Sequence, residues 1–356
     1  MPKGSVIAIL LHDVCEEIRL EELRAMIGAR RAVPSFKHAT PEYVRFEKPP
    51  VVESASSITI SSGEQLSTEL KYYDYGVVSV VFELPFEGDW ESLISLAARW
   101  VPSAELERYA QQIVRERLGR ISAAISRPYS EWISEDYYVF ELREVDGDVN
   151  GADLLAQRGS EISRIVRGET AELARSERAD VLQASLSYYP TDLVVVGWNA
   201  ALVCDTPSGA ETSIQILEYA NSQLLEFRHY DDLLTRELAL VYRSLKQRAG
   251  ALHGWRMRRE ASRLNSVTVE VTELVERADT AIKFVSDMFA ARLYRLAASK
   301  VGVPEYKNLV NEKLKTAENL YRFLIDEFHQ SRGFVLELMV VIILIIELFY
   351  LFKGKG

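Results

Sequence analysis

The sequence predicts an α+β protein: an N-terminal mixed sheet-and-helix domain, ferredoxin-like in outline, then a long antiparallel α-helical hairpin, then one C-terminal transmembrane helix. Three observations carry this reading. Apolar runs of strand length alternate with helical periodicities as far as residue 206, long periodic stretches fill 207–332, and Gly333 to Phe352 is a nearly unbroken apolar run. The expected parts are therefore an α+β domain at 1–206, a long-helix, coiled-coil-like domain at 207–332, the transmembrane helix at 333–352 and a short tail at 353–356.

Within the first part, Ser5 to Leu11 reads as a strand and Leu20 to Ile27 as a short amphipathic helix. Pro34, Pro41, Pro49 and Pro50, with the Ser-rich stretch Ser54 to Ser62, indicate an irregular insertion with edge strands. Gly76 to Leu84 is a buried strand bounded by Pro85. Asp89 is placed to cap a helix that Pro102 interrupts and that resumes through Ile125. Tyr137 to Val145 reads as a strand ended by Asp146-Gly147, and Asp153 to Arg167 as a helix. Leu193 to Val196 and Ala200 to Cys204 read as paired strands around Gly197-Trp198-Asn199.

After Pro207 the pattern lengthens. Ser208 to Arg248 is one helix and Arg256 to Ser299 a second, with a seam at Leu264, Val267, Val271, Leu274, Ala278, Ala281, Val285 and Met288. A third helix, after Gly302 and Pro304, repeats that spacing at Val310, Leu314, Ala317, Tyr321, Leu324 and Phe328. Alternating steps of three and four mark a coiled-coil seam, so helices two and three are expected to pair antiparallel about the turn at Val301 to Pro304.

Gly333 to Phe352 would rise about 30 Å as a helix, the thickness of a bilayer core. Arg332, Tyr350, Lys353 and Lys355 flank it as interfacial anchors. Glu337 and Glu347 interrupt it on one quadrant of the helix, either as tolerated end-of-span carboxylates or as polar contacts to a partner helix. With no leader at the N-terminus, a single-pass, tail-anchored protein of the inner cell membrane is expected, its large N-terminal domain cytoplasmic.

Composition narrows the function classes. A formal charge of -10 argues against direct nucleic-acid binding. Cys15 and Cys204 lack any C-x-x-C partner and read as small buried hydrophobes. No Gly-rich phosphate loop and no G-x-S-x-G occurs, so no cofactor, metal or catalytic motif is expected.

The C-terminal residues carry a family pattern. Val310, Asn311, Lys313, Leu314, Ala317, Leu320 and Tyr321, then His329 and Arg332, then Leu336-Glu337 and Leu344, Ile345 and Glu347 form it. This resembles the close of the YagE-like family, domain of unknown function 155, which includes sporulation and meiotic-nuclear-division proteins. A looser likeness covers Leu224 to Leu245, while Leu182 to Cys204 departs from the family, which marks a divergent bacterial relative. The resemblance implies a membrane-tethered, homo-oligomeric protein without known catalysis, and only by family analogy a link to the translation machinery.

Two polar constellations remain. Glu226, Arg228, His229 and Asp232 lie within two helical turns, with His229 and Asp232 at i, i+3. They form a polar network or, in the alternative, the centre of an uncharacterised enzyme around residues 226–232. Arg256, Arg258, Arg259 and Arg263, in a basic stretch that starts at Arg243, would meet anionic lipid if helix two bends near Leu264 to Thr268. The function expected is a tail-anchored scaffold or tether whose N-terminal domain binds a protein partner, with membrane lipid and further copies of the chain as its other partners.

Overall fold

The computed structural model describes residues 1–28, 30–31, 44–46, 49–145, 150–246, 253–280, 282–284 and 288–353. Side-chain surroundings are described for these except 30–31, 44–46, 246, 253–256, 277–280, 282–284, 330–338 and 350–353. Pro34, Pro41, Asp146-Gly147, Arg248 and Lys355, all invoked above, lie outside the described residues.

The order of elements is β1 (Lys3–Ile18), α1 (Leu20–Ile27), β2 (Arg30–Arg31), β3 (Val44–Phe46), β4 (Val51–Thr59), β5 (Gln65–Tyr72), β6 (Val77–Glu87), α2 (Trp90–Trp100) and α3 (Glu105–Arg120). A 3-10 turn at Ser122–Ala124 leads to β7 (Ile125–Glu144), α4 (Gly151–Arg167), α5 (Arg175–Gln183), β8 (Ser185–Leu186), β9 (Leu193–Val196) and β10 (Ala200–Cys204). Then come α6 (Pro207–Lys246), α7 (His253–Thr280), β11 (Ile282–Phe284), α8 (Met288–Val301) and α9 (Val303–Lys353). They divide into two compact units, Met1–His229 with Glu276–Tyr306, and Tyr230–Val275 with Lys307–Gly356.

In the first unit nine strands form one sheet in the order β2-β4-β5-β6-β1-β7-β10-β9-β8. This corrects the ferredoxin-like outline, whose sheet is much smaller. The pairs are antiparallel apart from β10 on β7. The first strand of the chain lies near the centre, between β6 and β7, and is apolar on both faces because both are covered. Val6, Ala8 and Leu10 join the main core with Trp90, Leu93, Leu106, Ala110 and Ile162 of α2, α3 and α4. Ile7, Ile9 and Leu11 point the other way and are equally buried. On that face Tyr75 and Lys71 meet α6 through Ser222 and Glu218.

Two sharp features position the site. Asp89 caps α2 by accepting from the Ser92 amide at 2.8 Å. Gly76 has φ 96°, and a Cβ there would stand 1.7 Å from the Cys15 carbonyl oxygen. Only glycine lets that turn press against β1.

The second unit corrects the two-helix hairpin. Leu238 and Val241 of α6, Met257, Ala261 and Leu264 of α7, and Ala317 and Leu324 of α9 form one apolar cluster, so three helices share the seam. Nor does one helix run from 256 to 299. It stops at Thr280, and Ile282–Phe284 pairs as a strand with Val44–Phe46 before α8 begins. The β-branched and aromatic residues at 282 and 284 favour a pleated surface over a helix.

Among the described residues no helix is long and apolar enough to cross a membrane. The transmembrane assignment of 333–352 is therefore not supported, nor are the tail anchor, the single-pass topology and the inner-membrane placement with a cytoplasmic N-terminal domain. The apolar stretch belongs instead to a 51-residue helix that begins at Val303. Its two carboxylates oppose insertion, at roughly 2.5–3.5 kcal/mol for a charge at mid-bilayer.

Candidate functional site

The register between β1 and β7 slips once in its middle. Asp13 stands opposite Ile133, but Cys15 stands opposite Pro128, so the four residues Tyr129, Ser130, Glu131 and Trp132 of β7 face Val14 alone, an excess of three. Pro128 has no amide to give the ladder, and Arg127 before it adopts φ 47°, a left-handed conformation rare outside glycine. Bulges of this kind re-aim side chains. Here the bulge sends Tyr129 to one face of the sheet, onto His229 of α6, and Trp132 to the other, against His12 of β1.

On the α6 face, Tyr129 stacks on His229, with ring centroids 4.5 Å apart and planes at 19°. His229 Nδ1 lies 2.8 Å from Asp13 Oδ2. The contact is close but lacks hydrogen-bond alignment, and burial pushes the Asp13 carboxyl well above the usual carboxylate range. Burial, with Asp13 second, pushes the neighbouring Cys15 thiol up to about 12, so it is an inert hydrophobe and not a nucleophile. Farther along α6, Glu218 holds Lys71 at 2.6 Å, Tyr75 and Ser222 share a hydrogen bond of 2.7 Å, and the Gln223 amide donates to Tyr219. Residues 218, 222, 226 and 229 follow steps of four, four and three, which aligns them as one polar stripe against the sheet.

On the α3 face, His12 Nε2 approaches Glu107 Oε1 at 3.3 Å, and Trp132 meets the His12 ring edge-on at 6.4 Å. Arg115 sits 5.8 Å over the Trp132 ring. Ser134 is directly opposite His12 in the register, and Asp136 is opposite Leu10. Burial raises Glu107, but His12 and Ser134 outweigh it and leave the carboxyl below its ordinary value. Asp136 moves the other way: burial, then the nearby Glu107 charge, raises it despite the Tyr138 hydroxyl.

The polar residues singled out in the sequence part company here. Glu226 and His229 are buried, and Arg228 pairs with Glu135 on β7. Asp232 turns away to Arg236, 2.8 Å distant, with both largely exposed. The i, i+3 pairing of His229 with Asp232 does not form, because Asp13 supplies the carboxylate from the far end of the chain. Among the basic residues, Arg263 donates to Glu237 at 2.7 Å and Arg258 lies 5.9 Å over Phe328, while Arg259 is exposed and the side chain of Arg256 lies outside the described residues. The side chain of Glu337 is likewise outside them, and Glu347 is exposed. Among the described residues no group of three or more His, Cys, Asp and Glu could hold a metal ion. Glu107, Asp136, Lys71 and Glu218 went unnoticed in the sequence, and His12-Asp13 showed no partner there. The one available signal was His12-Asp13, two titratable residues closing an apolar strand.

One surface stands apart. From Met339 to Phe349 every residue of α9 is exposed, and the ten apolar ones retain between 47% and 64% of their accessible surface.

Comparison with known proteins reaches most of this architecture. Residues 3–211, the sheet and its first helices, match the family described as "Uncharacterized protein MJ0711, N-terminal domain". An uncharacterized protein of that name from Methanocaldococcus jannaschii is 18% identical over 348 residues, covering 97% of this chain and 96% of its own. No solved structure matches. The YagE-like resemblance is thereby corrected: nothing in these matches points to that family. It rested on residues between Val310 and Glu347, all of them outside the family match at 3–211.

Proposed function

We propose that this chain, which belongs to the family of the MJ0711 N-terminal domain, is an assembly scaffold that binds further copies of itself through the C-terminal end of α9. The observation that carries the reading is the exposure of Met339 to Phe349. Full burial of one such side chain is worth about 1.5–3 kcal/mol, so covering ten that are half exposed yields on the order of 10 kcal/mol per chain. That is comparable to the whole stability of a domain, about 5–15 kcal/mol. Contiguous apolar surface of this extent marks an interaction site. Eleven consecutive residues turn through three helical turns, so all sides of the helix are apolar. Two paired helices would leave their outer sides bare, which favours three or more copies.

The alternative, an enzyme centred on residues 226–232, draws less support. Burial of Glu226 and His229 under Tyr129 favours a structural task for them, fixing α6 to the sheet.

Sedimentation velocity of the full chain tests the scaffold. The expected result is a discrete oligomer of at least three copies, converted to single copies by Ile342→Glu with Ile345→Glu, with circular dichroism unchanged. Single copies of the unmodified chain, whether in buffer or only in detergent, would refute the reading, as would an oligomer that survives the substitutions.

A further inference from the structure

We propose that His12, Glu107, Ser134 and Asp136, flanked by Trp132, form a binding site for a small neutral polyol on the α3 face of the sheet. The argument starts from unmet hydrogen-bonding capacity. His12 is fully buried and its Nε2 lies 3.3 Å from Glu107 Oε1, yet the contact lacks hydrogen-bond alignment and His12 Nδ1 has no partner among the described residues. Buried polar atoms are almost always satisfied, and a misaligned pair beside an unpartnered ring nitrogen leaves capacity for a partner from outside the chain. The cluster lies just beneath the surface: the His12 nitrogens and Glu107 oxygens are covered, while Trp132, Ser134 and Asp136 beside them are half-buried.

The chemistry of these groups selects the ligand. Glu107 accepts, a ring N–H of His12 donates, Ser134 does both, and Asp136 offers a further carboxyl acceptor. A ligand that satisfies all of them must donate and accept through the same small groups, which is the property of an aliphatic hydroxyl. Net charge on the ligand is disfavoured. An anion would face the Glu107 carboxylate, and a cation would face Arg115 on the Trp132 ring. Trp132, thrown out by the bulge, adds a flat apolar wall of the kind that carbon-bound hydrogens of a polyol or sugar pack against. The opposite displacements of Glu107 and Asp136 fit the same picture, one carboxyl kept as an acceptor and one inclined to hold a proton.

Saturation-transfer NMR on the full chain, with glycerol, myo-inositol and glucose as probes, tests the site. At least one probe is expected to receive saturation with a millimolar Kd. Glu107→Gln, nearly isosteric, should weaken binding at least tenfold, and Ser134→Ala, at the half-buried rim, about threefold. Ser134→Ala keeps the test decisive if Glu107→Gln or His12→Gln fails to fold. No transfer to any probe, or equal binding by both variants, would overturn the site and leave its unmet atoms to water alone.

Discussion

Removing one member of the Lys71–Glu218 pair tests how α6 is held to the sheet. The ions are 2.6 Å apart, with 13% and 1% of their side chains accessible. Burial alone would lower Lys71, but Glu218 and then Glu69 and Glu211 outweigh it, so its ammonium is held above its ordinary 10.5. Leaving one buried charge without its partner costs about 3–5 kcal/mol, whereas exchanging both ions for apolar residues of similar volume is often neutral. Glu218→Leu or Lys71→Met alone should therefore cost about 3–5 kcal/mol. For a unit of this size that lowers the melting temperature by about 6–20 °C. The double variant should recover much of this, giving a coupling energy of at least about 2 kcal/mol in a double-mutant cycle by urea denaturation. The pH dependence fixes the sign. A lysine raised by folding stabilises fully below its unfolded pKa and loses that contribution as pH rises through its folded value, so wild type should lose stability above about pH 10.5 and the Glu218→Leu variant should not. Single substitutions costing under 1 kcal/mol, or costs that simply add in the double variant, would refute the reasoning.

Two further predictions follow from the same strands. Gly76→Ala forces a Cβ into the Cys15 carbonyl at a positive φ and should destabilise by several kcal/mol, read as a fall in urea midpoint; a shift within error would show that the turn can move away. Asp13 is an acid raised by burial, so the folded state prefers its protonated form and wild type should lose stability as pH rises from the ordinary value near 3.8. Asp13→Asn should flatten that dependence between pH 4 and 8, and parallel curves for the two proteins would show that His229 already balances the charge.

Local features were legible in the sequence and non-local ones were not. The Leu20–Ile27 helix and the Asp89 cap coincide with what forms, because each is decided by a few neighbouring residues. The Ser-rich stretch reads as an irregular insertion with edge strands, whereas β4 pairs on both sides, with β2 and β5. The apolar run that marks the first strand ends at Leu11, whereas β1 continues to Ile18 and Asp13 finds a histidine on α6. No period in the sequence announces a partner that distant. The bulge had a local trace in Arg127-Pro128, but its purpose depends on which helix lies on each face. The apolar end of α9 was conspicuous, and periodicity alone could not tell a spanning segment from an exposed helix end.

The adjacency of His12 and Asp13 has a bearing on how the central strand finds its place. A run such as Val6 to Leu11 is apolar on both sides and would pack almost as well after sliding by one residue, since a single step merely exchanges the two faces. The exchange is costly at the next two positions. A slip in one direction would bring the Asp13 carboxylate to the place of His12, against Glu107, and a slip in the other would bring the His12 ring to the place of Asp13, against His229, an encounter of like kind in either case. The histidine and the aspartate thus work as a key with different wards on its two sides, and an otherwise featureless hydrophobic strand can enter the sheet in only one alignment.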